Sequence, residues 1–128
     1  MKNENVNNEL QSGNAELESN ELFVAIQELE DIITPRLTAY VLSFNATGSL
    51  HDPNELRHVS LRKVQAILEI MRVIMEHESA SVVQAWMQGL NPELDDVSPL
   101  QVLRDNKEGS EAFANVLMAA KAFENGAY

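Results

Sequence analysis

The chain predicts an all-α protein, a compact bundle of about six helices, and three observations carry that expectation. Apolar residues recur at three- and four-residue spacing through most of its length, and no stretch alternates with period two beside a hairpin turn. Five glycines and four prolines among 128 residues leave few interruptions. One domain is expected at this length, burying roughly two-thirds of its unfolded surface. Apolar residues make up 45% and aromatics only 5%, so the core is expected to be aliphatic.

Met1 to Ser19 holds five asparagines, four glutamates and few apolar groups, too little to offset the entropy of ordering. It reads as a flexible acidic tail. Leu22, Ile26, Leu29 and Ile33 then mark a first helix, and Thr34-Pro35 restarts a second with Leu37, Tyr40, Val41 and Phe44 on its apolar side. Residues 45–50 read as a loop. Asp52-Pro53-Asn54-Glu55 is a capping box with proline at the first helical position, opening a short third helix.

Ser60 opens the longest segment, whose stripe is Leu61, Val64, Ile67, Leu68, Met71, Ile74 and Met75. It is expected to pack against the next helix, capped by Ser79 or Ser81 and carrying Val82, Val83 and Trp86, and against the last one. A two-turn helix with Leu100, Val102 and Leu103 follows. Gly109-Ser110 then starts a final helix bearing Phe113, Val116, Leu117, Ala120 and Phe123, which Gly126 ends. Met71, Met75, Met87 and Met118 fit gap-filling core positions or an adaptable binding face.

Between those last helices, residues 86–104 string together stop and start signals around the single tryptophan. Gly89 is suited to the left-handed conformation that closes a helix, Asn91-Pro92 forbids immediate resumption, and Ser98-Pro99 is a cap followed by proline at the first helical position. Two helices therefore flank a rigid polar corner, with Leu94 tucked beneath it. Trp86 fits either a core residue or a partner contact. Glu93, Asp95 and Asp96 fit either a solvated loop or a surface that steers a basic partner.

Charge excludes some functions and favours others. Residues 1–34 carry a net −7, residues 35–90 are neutral and residues 91–128 carry −4, for −11 overall. Nucleic-acid binding depends on cations displacing counterions from phosphates, and this balance opposes it. Cysteine is absent, which removes disulfides and thiolate chemistry. With no membrane-length apolar run and no basic-then-apolar leader, a cytoplasmic location away from any membrane is expected.

Catalytic and metal signatures are lacking. His51, Glu55 and His58 fall at helical spacing, but a di-metal bundle site needs a second Glu-x-x-His pair that the chain does not contain. No phosphate cradle, nucleophile elbow or zinc-protease helix is found. Arg62, Lys63 and Arg72 are expected on the polar side of the long helix, in solvent or paired with Glu69 and Glu76. A protein that is not an enzyme and needs no cofactor is expected.

The order Val83-x-x-Trp86, Gly89-x-Asn91-Pro92-x-Leu94, Ser98-Pro99-Leu100-x-x-Leu103 and Glu124-Asn125-Gly126 resembles the toxin-binding domain of the Xre/MbcA/ParS group of bacterial antitoxins. The resemblance covers roughly residues 60–128. It implies a toxin-antitoxin protein that blocks the active-site cleft of a cognate toxin, an NAD-degrading enzyme of the RES type, and that often represses its own operon. It also implies a helix-turn-helix-like region over 20–59, preceded by the tail at 1–19, with Leu37 to Leu42 resembling the first helix of the pair.

At residues 45–58 the sequence departs from that pattern, offering Arg57 against Asp52 and Glu55 and no basic recognition helix. The resemblance therefore implies toxin binding more than repression. A DNA-binding transcriptional autorepressor, and an orphan helical interaction module or homodimer without a toxin, are the other readings. The candidate partner-binding residues are Trp86, Asn91, Glu93, Asp95, Asp96 and Arg104, together with Gly126, Ala127 and Tyr128, whose ring and terminal carboxylate could enter a partner's cleft.

Overall fold

The computed structural model describes residues 20–44 and 56–126. Helix α1 covers 20–33, α2 Pro35–Val41, α3 Leu61–Met75, α4 Ala80–Gln88, α5 Pro99–Asp105 and α6 Glu111–Glu124, with a 3-10 turn at Pro92–Leu94 between α4 and α5. This is the all-α bundle of about six helices that the periodicity predicts. No strand occurs among the described residues; an isolated bridge joins Asn91 and Val97. The tail, the capping box at Asp52, His51, Glu55, Ala127 and Tyr128 lie outside the described residues.

Helix starts follow the side-chain oxygens that the sequence offers. Thr34, Ser60, Ser98 and Ser110 each accept a hydrogen bond from the backbone N–H three residues on, satisfying a donor that the first turn leaves open. Pro35 and Pro99 sit just inside α2 and α5, where a missing N–H costs nothing. Ser79, not Ser81, is the cap of α4, and its side chain makes no capping bond. Only Thr34 separates α1 from α2, and it does so at φ 85°, an uncommon conformation for a β-branched residue.

A single apolar core threads the described elements. Ile26, Leu29 and Ile33 of α1 and Val41 of α2 are buried with Val64, Ile67, Leu68, Met71 and Ile74 of α3, Val83 and Met87 of α4, Leu103 of α5 and Val116 of α6. Helix α3 packs against α4 and α6 as expected, and α5 ties α2, α4 and α6 together. No boundary near residue 60 divides this core. A hydrogen bond from Gln84 Nε2 to the Ile32 carbonyl (2.8 Å) adds a polar tie between α4 and α1.

Four expectations need correction. Gly89 is extended (φ −76°, ψ 150°) rather than left-handed, so α4 simply runs out into the corner. Tyr40 is at the surface rather than in the core, and the Arg104 guanidinium lies over its ring at 4.5 Å. Met71 and Met87 fill the core, but Met75 and Met118 are exposed. Arg72 reaches across to Glu28 on α1 (2.9 and 3.0 Å) instead of pairing with Glu69 or Glu76 along its own helix.

Candidate functional site

The corner between α4 and α5 is built around one buried polar residue. Asn91 is 5% exposed, and its Oδ1 accepts from the Glu93 N–H at 2.9 Å. Its carbonyl accepts from the N–H groups of Leu94 and Asp96, both at 2.9 Å, while its own N–H donates to the Val97 carbonyl at 3.3 Å. Pro92 starts the 3-10 turn that these bonds close, and Leu94 is buried beneath it, against α6. Asn91 is thus the internal brace of the corner, with little surface of its own to offer.

That brace forces the acids outward. Asp95 and Asp96 hold φ values of 57° and 63°, the left-handed region that aspartate tolerates better than most residues. Left-handed turning, which the sequence suggested at Gly89, is carried here by two aspartates. Glu93, Asp95 and Asp96 are all exposed, giving three carboxylates on a backbone that hydrogen bonds hold in one shape.

An apolar groove of about 230 Å³ meets the corner at Asn91 and Pro92 and is lined also by Ala85, Trp86, Gly89, Leu90 and Phe123. Trp86 is half-buried, and its ring lies 6.2 Å from that of Phe123 at a tilt of 44°. The indole therefore joins the core on one side and the groove on the other, so both readings of Trp86 hold in part. Its Nε1 is buried without a hydrogen-bond partner among the described residues. Leu90 is 75% exposed, and periodicity could not single it out because it lies outside any helical stripe.

Comparison of the chain with protein-family models, curated proteins and solved structures finds no match. Trp86, Asn91, Glu93, Asp95 and Asp96 come together at the corner. Gly126 joins their neighbourhood through Phe123, whose carbonyl accepts from the Gly126 N–H at 3.2 Å. Gly126 takes φ 68° and closes α6 as the sequence suggests.

Arg104 does not join the corner. It lies at the far end of α5, stacked on Tyr40. Lys63, which the sequence places on a solvent face, has a structural task nearby: its Nζ donates to the carbonyls of Arg104 (3.2 Å) and Asn106 (3.1 Å) where α5 ends. Burial lowers its pKa below the ordinary 10.5, against the opposing pull of Glu108 and Asp105. No signal along the sequence could have found this pairing, since its partners lie more than forty residues away.

Among the described residues no group of His, Asp and Glu is arranged to hold a metal ion. No helix there is long and apolar enough to cross a membrane.

Proposed function

We propose that the protein is an antitoxin-like inhibitor that works by docking its α4–α5 corner against a cognate protein toxin, an enzyme that degrades NAD, and obstructing the toxin's active-site cleft. The carrying observation is the pairing of a preformed, hydrogen-bonded turn bearing Glu93, Asp95 and Asp96 with the Trp86–Leu90–Phe123 groove. A turn already in its bound shape loses little entropy on association. Clustered carboxylates accelerate approach to a cleft whose cations accept dinucleotide phosphates, and the apolar groove gives the encounter its hold.

Repression of its own operon is a weaker reading for this chain. Three of its nine Lys and Arg residues are already engaged, Arg72 by Glu28, Lys63 by carbonyls and Arg104 by Tyr40. Co-expression with the product of an adjacent reading frame that consumes NAD tests the main proposal. A stable complex and preserved cellular NAD are expected. A triple Glu93→Lys, Asp95→Lys, Asp96→Lys variant should associate more slowly and protect less. Absence of a complex at micromolar concentration would overturn the reading.

A further inference from the structure

A second groove, of about 740 Å³, lies between α1 and α3, apart from the corner and independent of the reading given to it. Its floor is apolar: Ala25 and Leu68 are buried at the base, and Val24 stands 60% exposed above them. Two-turn stripes form its walls. Glu21, Val24, Ala25 and Glu28 on one side, and Gln65, Leu68, Glu69 and Arg72 on the other, follow the same spacing of three, four and seven residues. Such paired stripes match the length and ridge spacing of a third helix laid along both.

The rim decides the kind of occupant. Glu21, Glu28 and Glu69 border the groove, and Arg72, the one cation lining it, is held by Glu28 across the gap. That ion pair links the two walls and leaves Glu21 and Glu69 without an opposing charge among the lining residues. The chain's own residues 1–19 carry one Lys against four Glu, a charge of the same sign as the rim. A second copy seated on this groove would set one acidic rim against another. Like charges placed face to face oppose both occupants.

We infer that the α1–α3 groove is a docking site for a basic amphipathic helix of a partner protein, with an apolar stripe over Val24, Ala25 and Leu68 and Lys or Arg flanking it toward Glu21 and Glu69. A helix of that kind supplies what the groove lacks, a cover for Val24 and cations for the rim.

Titration of the isotope-labelled full chain with two synthetic peptides, followed by NMR, tests this. One peptide forms a helix with a leucine stripe and lysines elsewhere, and the other has the same composition in an order that breaks the stripe. Shift changes confined to α1 and α3 are expected with the first peptide, at an affinity about tenfold or more above the second. Glu21 and Glu69 are exposed, so the Glu21→Lys, Glu69→Lys variant should melt like wild type yet bind the first peptide about tenfold more weakly. A Glu93→Lys, Asp96→Lys variant should bind it like wild type. Equal affinity for the two peptides, shifts centred on Glu93 to Asp96, or unchanged binding by the Glu21/Glu69 variant would each overturn the proposal.

Discussion

Asp95 and Asn91 show how single residues divide shape from charge at the corner. Asp95 is in the left-handed region, where a β-branched side chain costs about 1–2 kcal/mol and glycine is at ease. Asp95→Gly should therefore leave unfolding free energy within about 1 kcal/mol of wild type while slowing association with the proposed partner, because it removes a carboxylate and keeps the turn. Asp95→Val should lower stability as well. Asn91 has the opposite balance, bracing without contact. Asn91→Ala strands the Glu93 N–H and should cost about 1–2 kcal/mol in urea unfolding. A loss well under that range would mean the brace lies elsewhere in the turn.

At the level of elements, what matters is where each helix ends and what holds it there. Lys63 stitches α3 to the end of α5, and its lowered pKa gives that stitch a pH signature. Between the folded-state pKa and 10.5 the unfolded chain retains a proton that the folded one has released, so stability rises with pH across that window. The stability difference between wild type and Lys63→Met should accordingly shift in favour of wild type as pH climbs toward 10.5. A flat or falling difference would contradict the burial of this ammonium. The Arg72–Glu28 bridge is a lesser tie: with side chains 59% and 42% exposed, Arg72→Gln should cost less than about 1 kcal/mol, and less again in high salt.

Helix starts were legible in the sequence and helix ends much less so. Ser60, Ser98 and Ser110 bond to donors three residues away, a relation that the local sequence contains. The exit from α4 is different. Gly89 permits a left-handed close, but the bridge between Asn91 and Val97 pulls the chain out extended, and the left-handed turning falls six residues later at Asp95. Tyr40 likewise fits the apolar side of α2 by periodicity, yet it is exposed and its ring is met by Arg104 from α5, a contact that no local pattern contains.

The whole molecule is held by one core that joins α1 and α2 to the later helices, and its unfolding should reflect that. Fluorescence of Trp86, far along the chain, and helical circular dichroism should give coincident urea transitions. Leu103→Ala, at a fully buried position in α5, should lower stability by about 2–5 kcal/mol and move both signals together. Separate transitions would mean that the first two helices fold as their own unit. The net charge of −11 acts at this scale too, so binding of the proposed partners at the corner and at the α1–α3 groove should weaken as salt rises.

By itself the sequence determined that this protein is helical, which faces of its helices are apolar and where most of them begin, because period and capping act within a few residues. It also determined that a braced corner follows Trp86. Tertiary structure alone decided that Asn91 is buried, that Asp95 and Asp96 turn left-handed with their carboxylates in solvent, and that Leu90 and Phe123 complete a groove beside Trp86. It alone set Arg72 on Glu28 and Lys63 on the end of α5. Those facts depend on which elements meet, and meeting is a property of the packed core rather than of any local stretch of chain.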